Sequence, residues 1–260
     1  MFFAREGTFA PCGMFTTTHI IAMVVCLILI VVLVFISRDM TTETLKKLSG
    51  IMAIIFTAME TVKIAFHLFN GYYKIDQWFP LSFCGLFIYA LWLGGYGRGK
   101  AAEAAKSYIE GAAFFAGLAF LVIPATSLMK YPIFHFQCLY SLMFHSGMIY
   151  LSIMYMKLGV VKHDLRHFGY FCGFFGVLAS VALVMNIIFG SNIMLIMEPY
   201  NVPFGFFYTI REFSVVAYIL FVSFGYTFVN YWATAPIVFI VRRISEIMTE
   251  TEDEECKIVR

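Results

Sequence analysis

The sequence predicts an all-α membrane protein, a bundle of seven transmembrane helices. Hydrophobic residues make up 61% of the chain and charged residues only 13%, whereas about 25% of the residues of a typical soluble protein are charged. The mean hydropathy of +0.84 is correspondingly high. The apolar residues also fall into seven runs, each long enough for the roughly 17 to 25 residues that a helix needs to cross a hydrocarbon core of about 30 Å.

The first predicted helix is the apolar run 20–36. The other six predicted helices are 50–70, 78–96, 107–124, 131–157, 165–189 and 207–235. The odd number of helices and the lack of a fixed-period repeat argue against two equal, transporter-like halves. We therefore expect one membrane domain over residues 1–241, followed by a short charged tail over residues 242–260.

The distribution of Lys and Arg predicts the orientation of the chain. With seven helices, thirteen of these cations fall on one side of the membrane, and only Arg5, Lys74 and Lys130 fall on the other. Loops on the cytoplasmic side carry an excess of Lys and Arg. The N-terminus is therefore predicted outside and the C-terminus in the cytoplasm, and the expected location is the cell membrane, with several passes.

Composition and spacing argue against several classes of function. The net charge of +2 and the lack of a basic patch interleaved with aromatic residues give no indication of nucleic-acid binding. The six cysteines have no CxxC or ligand-like spacing, so they predict neither a disulfide framework nor a metal site. We expect no cofactor, and the sequence does not indicate the oligomeric state.

The second predicted helix carries a stripe of ionisable residues. Glu60, Lys63 and His67 are spaced i, i+3 and i+7, which places them within an arc of about 60° on one helix face. A charge in the middle of the membrane costs about 2.5 to 3.5 kcal/mol, so such groups face the protein interior. We interpret Glu60 and Lys63 as a buried pair that fixes helix packing, with a proton relay as the alternative. Glu110, near the inner interface, is interpreted as structural.

Most other polar residues are predicted in the outer half of the bundle. Cys84, His135 and Arg211 lie on helices that enter from outside, and His67 and Asn186 close helices that end there. The expected result is a pocket open to the outer leaflet, into which a lipid head group can enter.

The connection between the sixth and seventh predicted helices, residues 190–207, is unusual. It is largely apolar, contains Asn192 but no Lys or Arg, and is interrupted by Pro199 and Pro203. Two interpretations fit this composition: a segment folded back against the outer mouth of the bundle, or a plain loop.

Two residues within the predicted helices are candidates for catalysis. Cys84 follows Pro80 in an apolar segment, and a buried thiol is either a small packing residue or a nucleophile. His145 lies in the middle of the fifth predicted helix, where it is either a neutral imidazole bonded to a neighbouring helix or a base. Counted from the outer interface, His145 is expected about two turns deeper than Cys84.

Three segments carry a family resemblance: WFPLSFC at 78–84, FHSGMIYLSIMY at 144–155 and FGSNIMLIMEP at 189–199. In this order they resemble the L-P-L-H-L-C, H-x-x-x-x-x-x-P-x-Y and G-x-N-Y-M-x-L patterns of the YwaF-like integral membrane proteins of bacteria. These proteins are similar in turn to the animal transmembrane-protein-164 acyltransferases. The resemblance extends from His19 to about Pro236.

The resemblance implies an activity and part of a site. The animal proteins transfer fatty acyl chains to lysophospholipids through a cysteine early in the third helix and a histidine that matches His145. Here Leu81 stands where the animal cysteine follows the proline, and Ser82 replaces the bacterial histidine. Cys84 lies about 300° from Leu81 around a helix, on nearly the same side, so we expect its thiol to serve.

The first hypothesis is therefore a phospholipid acyltransferase. His145 deprotonates Cys84, the thiolate takes an acyl chain from a phospholipid, and a lyso-lipid accepts it. Arg211 and Asn192 are expected to bind the head group or an oxyanion. The same substrate site is expected to include His135, His67 and Asn186.

Two alternatives stay open. A non-enzymatic transporter or lipid-binding protein would use Glu60, Lys63 and His67 as its coupling path. An accessory scaffold would instead contact other membrane proteins through small-residue faces such as those at Gly111 and Gly117.

Overall fold

The computed structural model describes residues 1–200, 202 and 204–258, with side chains up to residue 248. Pro203 and the last residues of the predicted tail lie outside the described residues. Within the described range the regular structure is helical, which confirms the all-α prediction. The helices are α1 (Thr17–Ile36), α2 (Thr42–Phe69), α3 (Ile75–Trp78), α4 (Leu86–Tyr96), α5 (Gly99–Gly111), α6 (Ala113–Val122), α7 (Phe136–Lys157), α8 (Leu165–Phe189), α9 (Gly205–Phe213), α10 (Val215–Phe224) and α11 (Asn230–Ile258). Two 3₁₀ turns, Ser127–Met129 and Ile193–Leu195, and one π-helix, Gly225–Val229, complete the described elements.

Several helical stretches are long and apolar enough to cross a membrane, so the protein is a multi-pass membrane protein. By length and composition the described residues contain five such stretches: Thr17–Ile36, Thr42–Phe69, Gly99–Met129, Leu165–Phe189 and Val215–Met248. Helix α4 is apolar but shorter. The count of seven membrane helices and the orientation of the termini stay predictions, and "outer" and "inner" below refer to that predicted orientation.

The third predicted helix, 78–96, is wrong in its first half, because the helix begins only at Leu86. Pro80 has no N–H to donate and disfavours a helical conformation in the residue before it, and Phe79 is accordingly extended (φ −72°, ψ 127°). The chain then turns at Ser82, whose Oγ accepts a hydrogen bond from the Gly85 N–H at 2.9 Å. Helix α4 therefore begins well below the outer surface of the bundle.

Helix α7 lies at the centre of the bundle, whereas α1 lies at its edge. Buried residues occur on all sides of α7, while most apolar side chains of α1 are exposed, as expected for a helix that faces lipid. Two glycines allow close packing near the centre. A Cβ at Gly117 would lie 2.7 Å from the His145 carbonyl oxygen, and one at Gly111 would lie 2.3 Å from the Tyr231 ring. Both glycines therefore pack against helices of the same chain.

The segment before α1 caps the outer end of α7. Its backbone accepts and donates hydrogen bonds there: the Cys12 N–H donates to the Tyr131 carbonyl at 2.9 Å, and the Phe136 N–H donates to the Phe2 carbonyl at 2.9 Å. These bonds satisfy backbone groups that a helix end leaves unpaired. The outer end of α7 is consequently covered by protein.

Candidate functional site

His145, in the middle of α7, has the tautomer that a general base requires. Its ring is stacked on Phe120, with ring centroids 3.8 Å apart, and the residue is 7% exposed. Nδ1 lies 2.7 Å from the Ser141 carbonyl oxygen. Because a carbonyl oxygen only accepts hydrogen bonds, Nδ1 carries the hydrogen and Nε2 of the neutral ring is an acceptor.

The second ring nitrogen of His145 is free to accept a proton. In the described part of the chain Nε2 has no hydrogen-bond partner. Nε2 is not fully enclosed by protein and keeps some accessible surface. An imidazole held through Nδ1 and open at Nε2 can take a proton from a nucleophile and return it later.

Cys84 and His145 are equally many positions from the inner ends of their helices. Cys84 is twelve positions before Tyr96, the last residue of α4, and His145 is twelve positions before Lys157, the last residue of α7. Cys84 itself lies in the non-helical turn before α4, whereas His145 lies within α7. The two-turn offset expected between the two residues stays a prediction.

Two aromatic rings link the segment that carries Cys84 to His145. Phe87 lies three positions after Cys84, and its N–H donates to the Cys84 carbonyl at 3.0 Å. The Phe87 ring meets the Phe144 ring with centroids 5.6 Å apart, and Phe144 in turn contacts the His145 ring at 5.4 Å. Among the described residues no hydrogen bond joins the Cys84 sulfur to His145. The thiol and the imidazole are thus not in direct contact.

Of the residues considered for the nucleophile, Cys84 has the most suitable position. Leu81 is 2% exposed and belongs to the core, and Ser82 is exposed. Cys84 is partly buried and packs against that core. Since residues 79–85 are not helical, the expectation that positions 81 and 84 share one helix face is wrong.

Aromatic residues fix the segment that carries Cys84. The preceding residue, Phe83, stacks on Tyr226 with centroids 4.1 Å apart and planes 6° from parallel. The Tyr108 hydroxyl donates to the Phe83 carbonyl at 2.8 Å. Phe83, the residue next to Cys84, is therefore held between α5 and the π-helix.

The outer connection is folded back against the bundle, which supports the first of the two interpretations of residues 190–207. Ile193 and Met194 are each 3% exposed. Met194 and Leu195 have φ values of +60° and +57°, a conformation that costs a non-glycine residue about 1 to 3 kcal/mol. Hydroxyls from the last part of the chain hold it: Tyr226 donates to the Met194 carbonyl at 2.9 Å, and Tyr218 donates to the Leu195 carbonyl at 3.2 Å.

Three residues predicted to bind substrate hold this connection in place. The Asn186 side chain donates to the Ile193 carbonyl at 3.0 Å and accepts from the Ile193 N–H at 2.7 Å. Asn192 Oδ1 accepts from the N–H groups of Met197 and Glu198, each at 3.1 Å. Arg211 Nε donates to the Met197 carbonyl at 2.6 Å, and its Nη2 pairs with the Glu198 carboxylate at 3.1 Å. Their polar atoms are thus engaged within the connection itself.

The two histidines predicted for the substrate site lie under the N-terminal cap, apart from His145. His135 is fully buried and stacks on Tyr131 at 4.1 Å. Its Nδ1 accepts from the Gln137 N–H at 3.1 Å, so Nε2 donates to the Ala4 carbonyl at 3.0 Å. His67 lies nearby, at the end of α2.

Glu60 and Lys63 form a buried pair on α2. Lys63 Nζ donates to Glu60 Oε1 at 2.5 Å, and the Tyr140 hydroxyl donates to Oε2 at 2.7 Å. Glu60 is 6% exposed. Both carboxylate oxygens therefore have a partner, and the arrangement supports the interpretation of a packing brace between α2 and α7.

Sequence reasoning missed a second buried polar cluster, near the inner end. Glu110, expected near the inner interface, is buried, with 1% of the residue exposed. Arg242 Nη2 donates to Glu110 Oε1 at 3.1 Å and to the Val161 carbonyl at 2.7 Å. His163 Nδ1 lies 3.7 Å from the same Glu110 oxygen. No spacing rule indicates this cluster, because its members come from α5, α11 and the connection between α7 and α8.

Comparison with known proteins places the chain in a family. A model of the TMEM164 family matches residues 14–229, a range that includes Cys84, His145 and the outer connection but ends before Arg242. No curated protein and no solved structure matches the chain. Since the family model covers most of the chain, this multi-pass membrane protein belongs to the TMEM164 family.

Proposed function

We propose that this protein is a lipid acyltransferase of the cell membrane, with Cys84 as nucleophile and His145 as general base. The observation that supports it best is the state of His145: Nδ1 is fixed by the Ser141 carbonyl at 2.7 Å, and Nε2 is an unengaged acceptor. A merely structural imidazole inside a membrane protein would use both nitrogens. The resemblance to the animal acyltransferases points to the same histidine.

The reaction has two balanced steps. His145 Nε2 accepts the proton of the Cys84 thiol, and the thiolate attacks the carbonyl carbon of a phospholipid acyl ester. The ester C–O bond breaks, the leaving oxygen takes the proton from His145, and the acyl chain stays on Cys84 as a thioester. A lyso-lipid hydroxyl then gives its proton to Nε2 and attacks the thioester. The acyl chain moves to that oxygen, and the sulfur recovers the proton.

In the proposal, the outer connection forms the part of the site that contacts the substrate. Asn186, Asn192 and Arg211 hold residues 191–198 against the bundle, and Tyr226 links Met194 to the ring of Phe83. In the proposal these residues position the connection above Cys84, and the Arg211 guanidinium, 29% exposed, contacts the head group. The proposal requires that substrate binding bring the sulfur and the imidazole together, because no hydrogen bond joins them among the described residues.

Acyl exchange between defined lipids tests the proposal. Purified protein in lipid nanodiscs is given a phospholipid with a labelled acyl chain and an unlabelled lysophospholipid, and the label on the second lipid is measured. We expect transfer by the wild type and none above background by Cys84→Ala or His145→Ala. Cys172→Ala is the matched control, because Cys172 is also partly buried but lies on α8. Transfer by a correctly folded Cys84→Ala protein would refute the proposal.

A second candidate is a non-enzymatic lipid transporter or lipid-binding protein that uses Glu60, Lys63 and His67. One observation favours it: His67 Nδ1 is buried and has no hydrogen-bond partner in the described range. The same nanodiscs, mixed with lipid-loaded vesicles, distinguish the two functions. A transporter moves intact lipids and loses this activity in Glu60→Gln, whereas the acyltransferase keeps its activity in that variant.

A further inference from the structure

Two buried polar atoms near the inner end lack a partner. Glu110 Oε2 and His163 Nδ1 are both enclosed and make no hydrogen bond to any described residue. The Glu110 side chain is 1% exposed and the His163 side chain 7%. Buried polar atoms without a partner are rare in native proteins and usually mark an unseen ligand or water. Two of them in one cluster indicate a binding site.

The chemistry of these atoms defines what the site binds. His163 Nε2 lies 3.0 Å from the Tyr231 carbonyl oxygen, which only accepts, so Nε2 carries the hydrogen and Nδ1 of the neutral ring is an acceptor. Nδ1 faces the Glu110 carboxylate across 3.7 Å, too far for a hydrogen bond. Both unpartnered atoms are therefore acceptors, and a ligand that satisfies them must donate two hydrogens.

The charges around the site require a neutral ligand. Arg242 Nη2 lies 3.1 Å from Glu110 Oε1 and already balances the carboxylate. The other ionisable groups nearby are paired with one another: Asp164 lies 2.7 Å from the His167 ring, and Glu103 lies 2.9 Å from Lys106 Nζ. An added cation beside Arg242 would be buried without a counter-charge. The small, neutral double donor that fits inside packed protein is water.

We propose that Glu110 and His163 bind one buried water molecule, which joins α5 to the connection between α7 and α8. The water donates one hydrogen to Glu110 Oε2 and the other to His163 Nδ1. Both unpartnered acceptors then have a donor, and the ion pair between Arg242 and Glu110 is kept.

The helices around the pair are irregular. Backbone helicity breaks at Ala112 (φ −131°, ψ −31°), two residues after Glu110. The π-helix Gly225–Val229 ends two residues before Tyr231, which binds His163. π-Helical turns within α-helices occur mainly at functional sites, and a site of this kind needs room for a ligand between close-packed helices.

Nitrogen NMR of the full-length protein in nanodiscs tests the site without any assay of lipid transfer. With ¹⁵N-labelled histidine, His163 is assigned by its disappearance in His163→Gln. We expect Nε2 to carry the ring hydrogen and Nδ1 to receive magnetisation from water protons. His167 serves as an internal control, because its Nδ1 contacts the Asp164 carboxylate directly at 2.7 Å.

Variants of Glu110 complete the test. Glu110→Gln puts an N–H donor in place of one carboxylate oxygen, so we expect loss of the water signal at His163 Nδ1. Glu110→Asp keeps the charge and should retain the water signal. The second variant keeps the test valid if Glu110→Gln does not fold. Glu103→Gln is the control and should leave the signal unchanged. An Nδ1 of His163 that receives no magnetisation from water, or that carries a hydrogen of its own, would overturn the proposal.

Discussion

Two carboxylates are buried in the described part of the chain, Glu60 in the outer half and Glu110 in the inner half, and they differ in their hydrogen-bond partners. Each has one cationic partner, Lys63 and Arg242 respectively. The second oxygen of Glu60 accepts a hydrogen bond from Tyr140 at 2.7 Å, whereas the second oxygen of Glu110 has no partner among the described residues. A complete set of partners indicates a brace, and an incomplete one indicates a place for a ligand.

The same distinction separates His145 from His135. Both ring nitrogens of His135 are bonded, to Gln137 and Ala4, so this residue ties the N-terminal segment to α7. His145 bonds through one nitrogen only. Under the proposed function, the nitrogen left unbonded, and not burial, distinguishes the general base from the structural histidine.

The largest expected effect is on lipid transfer. His145→Ala is expected to reduce acyl exchange by about 10²- to 10⁴-fold, the usual contribution of a general base. Per molecule of folded protein, His135→Ala should keep most of the activity, because the ring nitrogens of His135 bond only within the N-terminal cap and the start of α7. Initial rates of label transfer, normalised to folded protein, measure both. Equal losses in the two variants would remove the distinction between the histidines.

The inner ion pair should contribute most to stability. Arg242→Ala leaves the Glu110 charge buried and unpaired, so we expect a loss of about 3 to 5 kcal/mol in the free energy of unfolding. Arg243→Ala is the matched control, because Arg243 pairs with Glu246 at 3.1 Å and both are 59% exposed. Arg243→Ala should lower the free energy of unfolding by no more than about 1 kcal/mol. Unfolding in mixed detergent measures both, and similar losses would show that Arg242 does not act through Glu110.

Removing the outer brace should cost somewhat less. Glu60→Ala leaves Lys63 and Tyr140 without their acceptor, but the Lys63 side chain is 26% exposed and regains water. We expect the free energy of unfolding to fall by about 3 kcal/mol, the lower end of the range expected for Arg242→Ala. Glu43→Ala, which breaks the exposed pair with Lys47, is the control and should have no measurable effect. A stability unchanged by Glu60→Ala would mean that the pair does not hold α2 to α7.

Loosening of the outer connection is the next effect in size. Asn192→Ala removes the acceptor of the Met197 and Glu198 N–H groups, and each lost bond costs about 0.5 to 1.5 kcal/mol. Hydrogen exchange of residues 193–198 should become faster while exchange in α7 stays the same. Uniform acceleration over the whole chain would contradict a local role.

The smallest effect concerns the start of α8. Asp164 Oδ1 accepts from the His167 N–H at 2.9 Å, and this bond, followed by the one to the His167 ring, lowers the pKa of Asp164 below its ordinary value of 3.8. A carboxylate with a lowered pKa stabilises the fold above its unfolded pKa and loses this effect as the pH falls through the folded one. The stability difference between the wild type and Asp164→Asn should therefore be present at neutral pH and vanish in strong acid. A difference independent of pH would contradict this.

The sequence predicts the long helices well and the sites only in part. Helices α1, α2 and α8 follow from long, mainly apolar runs, because the cost of unpaired backbone in lipid leaves no other structure for them. The late start of α4 comes from Pro80, whose effect on the preceding residue is visible in the sequence. The place of Cys84 relative to His145 depends on how the helices pack, which the apolar pattern does not indicate.

The inner cluster could not have been predicted. Spacing rules find partners on one helix face, as they do for Glu60 and Lys63. The partners of Glu110 lie 53 and 132 positions further along the chain, at His163 and Arg242. The hydrogen bonds of Asn192 and Arg211 within the outer connection likewise depend on backbone geometry, which residue types alone do not reveal.

Trapping the acyl-enzyme is the most direct measurement of the central claim, that Cys84 and His145 act as nucleophile and base. Wild-type protein is incubated with phospholipid and no lyso-lipid acceptor, and peptides are analysed by mass spectrometry before and after treatment with neutral hydroxylamine. A fatty acyl thioester on Cys84 that hydroxylamine removes, and that is absent from His145→Ala, is the expected result. Acyl transfer that proceeds without any adduct on Cys84, or with the adduct on another cysteine, would contradict the claim.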